Sequence, residues 1–214
     1  MAVIEAYSSC TRARLSRIVG DVIRKGGLVA VPTETYYGLA ANPFDRGAVA
    51  RLISVKGRGD GKPILTLIGN RAQLSMLVLC VSPIAEVLMD AFWPGPLTLL
   101  FTAHPSLPPT LTANTGTVGV RFSSCAPLVE LLASVGPVTG TSANRTGCPP
   151  ACTAAEVEGS LGEHVELIVD AGETPGGLPS TVVDARDAVR LVRDGAISRQ
   201  MVQNVLQTRG IALL

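Results

Sequence analysis

Leu15, Ile18, Val19, Val22 and Ile23 recur at helical spacing, so residues 9–26 read as an amphipathic helix that stops at Gly26-Gly27. The run 28–31 that follows is continuously apolar, rich in valine and closed by Pro32, the pattern of a short strand buried on both faces. The alternation then continues. Asp45 is placed to cap a helix through residue 55 whose buried face is Val49, Leu52 and Ile53, and residues 64–68 read as the next strand. One helix or a pair covers 70–92, with Pro83 suited to a restart after Ser82, and Trp93-Pro94-Gly95-Pro96 ends it. Residues 97–102 and 117–122 pattern as strands around a surface loop rich in proline and threonine. Residues 127–135 pattern as a helix and 137–140 as a short strand, and Thr153 can cap another short helix. Strands at 165–170, 181–184 and 189–192 and a helix over 198–209 complete the series. The fold class this predicts is α/β: one mixed sheet layered by helices, in a single domain over residues 1–214.

Composition narrows the function classes. Hydrophobic residues make up 47% and charged residues 16%, which excludes a disordered chain, and an aromatic content of 4% argues against a β module built on aromatic contacts. A net charge of +1 supplies no long-range field for a polyanion, so any phosphate site must be a local basic patch. The five cysteines lack paired C-x-x-C spacing and suit reduced thiols better than a disulfide framework or structural zinc; no metal site is expected, Cys148 and Cys152 being the only close neighbours. The first ten residues do not read as a signal peptide and no apolar run is long enough to span a membrane, so a soluble cytoplasmic protein is expected.

The densest candidate for phosphate chemistry is Lys56-Gly57-Arg58-Gly59-Asp60-Gly61-Lys62, three cations and three glycines between a helix end and a strand start. Glycine lets the backbone approach a ligand and arginine offers a forked donor to phosphate oxygens, although a solvated basic turn has the same composition. It is not a Walker A loop, because Lys56 occupies the position of the first glycine and Pro63 that of the magnesium-binding hydroxyl, and no strand precedes a G-x-G-x-x-G fingerprint. Residues 31–39 crowd hydroxyls, a carboxylate and two tyrosines into a turn after a buried strand, either a site or a capped connection. Arg121 interrupts an apolar strand and is either half of an internal ion pair or a ligand clamp. Residues 139–144 and 179–184 are further strand ends dense in hydroxyl and amide groups. Neither histidine completes a Ser-His-Asp set, so covalent catalysis is not indicated.

In order and spacing, Pro32-Thr33-Glu34-Thr35-Tyr36-Tyr37-Gly38-Leu39, Lys56-Gly57-Arg58, Trp93-Pro94-Gly95-Pro96-Leu97-Thr98, Gly119-Val120-Arg121, Ser142-Ala143-Asn144 and Ser180-Thr181-Val182-Val183-Asp184 resemble the YrdC/TsaC family of threonylcarbamoyl-AMP synthases, in its compact single-domain form. The resemblance runs from about residue 27 to 195. It implies a twisted mixed sheet with flanking helices around a concave basic cavity. It also implies synthesis of L-threonylcarbamoyladenylate and diphosphate from L-threonine, bicarbonate and ATP with Mg²⁺, for the t6A modification of tRNA position 37, the product passing to a t6A-forming protein complex. By the same resemblance Lys56 and Arg58 are catalytic and hold ATP together with Lys62, Thr117, Ser142, Asn144 and Arg193. Threonine would lie among Thr33 or Thr35, Arg121, the backbone at Gly140 and Ser180. Gly59, Lys62 and Phe122 depart from the residues common in the family at those positions. The rival from another class is an RNA-binding module using the basic cavity for tRNA or double-stranded RNA, whose affinity would fall steeply with salt.

Overall fold

The computed structural model describes residues 1–57, 61 and 63–214. Its elements, in chain order, are β1 (Val3–Ala6), α1 (Arg12–Arg24), β2 (Val29–Val31), β3 (Gly38–Ala40), α2 (Arg46–Lys56), β4 (Thr66–Ile68), a 3-10 turn (Arg71–Gln73) leading into α3 (Leu74–Leu77), and α4 (Pro83–Phe92). There follow β5 (Leu97–Thr102), β6 (Thr117–Phe122), α5 (Ala126–Val135), β7 (Val138–Thr139), β8 (Thr141–Ser142), α6 (Ala154–Leu161), β9 (Leu167–Asp170), β10 (Thr181–Asp184), β11 (Arg190–Arg193) and α7 (Arg199–Gln207).

Local chemistry sets most of these boundaries. Asp45 accepts from the amides of Gly47 and Ala48 at the start of α2, a cap worth about 1 kcal/mol, and Gly57 closes that helix in the left-handed region at φ +56°. Ser82 caps α4 with proline in the first turn, and Thr153 and Glu156 form a reciprocal capping box on α6. The 70–92 segment divides as the pattern allowed, into a short turn of helix and α4.

The strands form two mixed sheets rather than the one sheet expected. The first has the order β1-β9-β2-β3-β8 and the second β11-β10-β5-β6-β4-β7. The expectation fails because residues 138–142 serve both sheets. Val138 and Thr139 of β7 pair with Leu67 and Thr66 in the second, and Thr141 and Ser142 of β8 pair with Leu39 and Gly38 in the first. Gly140 makes the passage, and a Cβ there would lie 2.5 Å from Leu67 Cγ and 2.8 Å from Leu65 Cδ1, so any side chain would have to displace both leucines.

Successive residues of the first sheet feed two cores. Val29 and Val31 of β2 and Leu167 and Val169 of β9 pack with Leu15, Val19, Leu128 and Leu132 of α1 and α5. Ala30 and Ile168 point the other way, into a larger cluster with Tyr37, Leu52, Trp93 and Phe101. Strands buried on both faces are continuously apolar for this reason. Among the described residues no helix is long and apolar enough to cross a membrane.

Candidate functional site

A cavity of about 410 Å³ opens where the two sheets meet. Its floor is a single cross-strand row of the second sheet. Register places Arg193 of β11 beside Val182 of β10, Val182 beside Thr98 of β5, Thr98 opposite Arg121 of β6, and Arg121 beside Leu67 of β4; all five line the cavity. Gly119 keeps the floor low, because a Cβ there would press on Thr98 at 3.2 Å. The opposite wall comes from the first sheet and the turn after β2, with Thr33, Thr35, Gly38 and Ser142.

The turn after β2 is held by its own hydroxyls. Thr33 Oγ1 accepts from the amides of Thr35 and Tyr36 at 3.1 and 3.2 Å and lies 3.0 Å from Thr35 Oγ1. Both readings of this segment therefore apply: it is a capped connection, and both threonines line the cavity.

Arg121 is 5% exposed and meets the cavity with little compensation. Its Nη2 lies 3.4 Å from Glu34 Oε2, an oxygen that also accepts from Ser123 Oγ. Arg121 Nε and Glu34 Oε1 are the two buried side-chain polar atoms without a hydrogen-bond partner among the described residues. Burial lowers the Arg121 pKa, Glu34 pulls it back up and Arg193 presses it down again. An incompletely paired guanidinium in a dry wall is a receptor for an anion, and a carboxylate is the group its fork matches.

Ser180 and Thr98 share a hydrogen bond at 3.0 Å between their hydroxyls, and Arg193 Nη2 donates to the Ser180 carbonyl and, at 3.1 Å, to its Oγ. Arg193 sits at the rim, its pKa also lowered by burial. Gly140 lines the cavity, its amide already donated to Leu65 O at 2.8 Å.

Of the other expected residues, Lys56 and Asn144 lie behind Ser142, 4% and 8% exposed, and are not among the cavity-lining residues. Thr117 begins β6, at the end remote from Arg121, and its Oγ1 accepts from Arg186 Nη1 at 3.1 Å; it does not line the cavity. Arg58 and Lys62 lie outside the described residues. Among the described residues no group of three or more His, Cys, Asp and Glu side chains could hold a metal ion.

The sequence alone assigned no site role to three contributors: Glu34, Ser123 and Thr98, although Glu34 and Thr98 stand within the family motifs. The signal for Glu34 was present, since a buried arginine requires an anion and Glu34 is the carboxylate in a turn that follows a fully buried strand.

Comparison with known proteins bears directly on this cavity. Residues 21–195 match the Sua5/YciO/YrdC family model, described as telomere recombination. The chain is 40% identical to a Mycobacterium tuberculosis protein provisionally named threonylcarbamoyl-AMP synthase, covering 86% of this chain and 85% of that protein. It is 38% identical to the threonylcarbamoyl-AMP synthase of Thiobacillus denitrificans over 76% of this chain and 86% of the relative. The crystal structure of P. abyssi Sua5 complexed with L-threonine superposes with a TM-score of 0.90 at 33% identity, covering 100% of this chain and 62% of that one. The chain thus spans less than two thirds of that longer archaeal protein.

Proposed function

The chain belongs to the Sua5/YciO/YrdC family, and from that premise we infer that it is a threonylcarbamoyl-AMP synthase, joining L-threonine, bicarbonate and ATP into L-threonylcarbamoyladenylate with release of diphosphate. The observation that carries this reading is the row Arg193, Thr98, Arg121 on the floor of a cavity whose other wall is hydroxyl-lined. Arg121 takes the threonine carboxylate, and Thr35 and Ser180, with the Gly140 backbone, surround the rest of the amino acid.

The chemistry asks for alignment rather than a nucleophile from the protein. The threonine amine adds to the bicarbonate carbon and water leaves, giving a carbamate. A carbamate oxygen then attacks the α-phosphorus of the magnesium–ATP substrate, the bond to the bridging oxygen of the β-phosphate breaks, and diphosphate departs. Holding the two reactants at contact and neutralising phosphate charge supplies most of the acceleration. Ser142 and Arg193, which line the cavity, take the nucleotide, and Arg58 and Lys62 are the further cations assigned to its phosphates. Asn144 and Thr117, which do not line the cavity, are given no direct contact with it. Mg²⁺ travels on the phosphates and needs no protein cluster of its own.

The adenylate passes to a t6A-forming protein complex that modifies tRNA position 37, which makes this a cytoplasmic enzyme. The RNA-binding alternative finds less support: a polynucleotide backbone cannot reach a guanidinium that is 5% exposed. The test is incubation with magnesium–ATP, bicarbonate and each amino acid in turn, with the adenylate detected by mass. Product with threonine, and with no amino acid lacking its hydroxyl, is expected. Absence of any adenylate with threonine would overturn the reading.

A further inference from the structure

We propose that Lys56 is a positioning residue, acting on the nucleotide side of the cavity by locking the segment 142–148 in shape instead of touching the triphosphate. This rests on the ATP-dependent reading above and deepens it. α2 ends at Lys56 and the left-handed turn at Gly57 fixes where its side chain leaves the helix. That side chain runs inward. Around Nζ stand the carbonyl of Ser142, the carbonyl of Asn144 at 2.8 Å and Asn144 Oδ1 at 3.2 Å, with Ser142 Oγ at 3.5 Å. An ammonium group has three protons, and these acceptors are enough to take all three.

The main chain adds a second tie, because the Thr146 amide donates to the Lys56 carbonyl at 2.8 Å. Asn144 then extends the lock along the segment, its Nδ2 donating to the carbonyls of Arg145 and Cys148, while the Cys148 amide donates to Arg145 O at 3.1 Å. Two carbonyls and an amide oxygen converging on one buried point repel one another unless a cation sits between them. Removing the ammonium therefore turns a set of satisfied acceptors into a cluster of unsatisfied ones, and the segment must open to rehydrate them. Ser142, which lines the cavity, moves with it. A phosphate oxygen that sought Nζ would have to displace one of these acceptors at a point 4% exposed.

The test starts without substrates. In the Lys56→Met variant, hydrogen exchange in the ligand-free protein should be at least tenfold faster at the amides of Asn144, Thr146 and Cys148, with β5 and β6 unchanged. Turnover should show coupling: Lys56→Met with Asn144→Ala should lose no more than about twofold beyond Lys56→Met alone. Lys56→Gln keeps two of the three N–H donors, without the charge, and should recover part of both the protection and the turnover; it also carries the exchange comparison if the methionine variant lacks a native circular dichroism spectrum. Wild-type exchange over 142–148 in these variants, or losses that multiply in the double variant, would overturn the proposal. The exchange result is readable even in a protein that makes no adenylate, so failure of the synthase reading and failure of this one are told apart.

Discussion

Lys56 and Arg121 are both cations buried within one site, and the fold treats them oppositely. Lys56 is surrounded by main-chain and amide oxygens and is not among the residues that line the cavity. Arg121 faces the cavity with a 3.4 Å contact to Glu34 and an Nε that has no hydrogen-bond partner among the described residues. A charge taken out of water must be compensated, and the difference lies in when that happens. For Lys56 the compensation is complete on folding. For Arg121 part of it is deferred until an anion arrives. The contrast separates the residue that builds a site from the one that binds in it, although both are basic residues in short motifs.

That contrast can be broken or sharpened in four ways. The largest effect is expected from Glu34→Ala, which strips the counter-ion from a guanidinium whose side chain is 6% exposed. Loss of one partner of a buried pair costs about 3 kcal/mol, and threonine should raise the melting temperature of this variant more than that of the wild type, because its carboxylate restores the missing charge. Equal increments in a thermal-shift titration would refute the deferred compensation. Next, Arg121→Gln should raise the threonine KM roughly 30-fold, the equivalent of about 2 kcal/mol for a charge-assisted contact, while the ATP KM moves less than threefold. A smaller change is expected from Ser180→Ala, which frees Thr98 and Arg193 from a shared hydroxyl. Steady-state kinetics should register about 1 kcal/mol, or roughly fivefold in threonine KM.

The smallest effect belongs to an exposed cation. Arg186 grips Asp184 with Nε at 3.0 Å and Nη2 at 2.8 Å, and this bond, more than any other influence, holds the carboxyl below its ordinary 3.8. A depressed folded value means that the stabilisation is present above the ordinary value and drains away as the pH falls through the depressed one. Arg186→Met should therefore lose less than about 1 kcal/mol at pH 7, as befits a solvent-screened pair. Its urea unfolding curve should converge with that of the wild type only once the pH has fallen below the depressed value. A loss of the same size on both sides of that value would show that the pair contributes nothing through its charge.

Long apolar patterns were legible in the chain and the short strands β3 and β8 were not. β5, β6 and β10 fall on the residues expected of them, since each carries enough branched or aromatic side chains to declare itself. β3 (Gly38–Ala40) is held between its neighbour β2 and the distant β8, and β8 (Thr141–Ser142) owes its strand character to β3, far away in the chain. Reading 137–140 as one short strand and 139–144 as its polar end hid the passage between sheets, and with it the second sheet. The site divides in the same way. Arg121 announced itself as a charge in an apolar strand, and both roles foreseen for it, ion pair and clamp, are compatible with its place in the cavity wall. The identity of its partner required the tertiary fold, because Glu34 lies 87 residues earlier in the chain.

The passage at Gly140 carries a consequence for how such a chain can diversify. Most positions around the cavity offer a side chain that mutation can lengthen, shorten or recharge, and the set of accepted molecules can drift accordingly. At Gly140 the room that even a methyl group would need is filled by Leu67 and Leu65, so this position offers selection nothing to adjust. A change in what the cavity holds is therefore expected along its floor and rim, on either side of that waist.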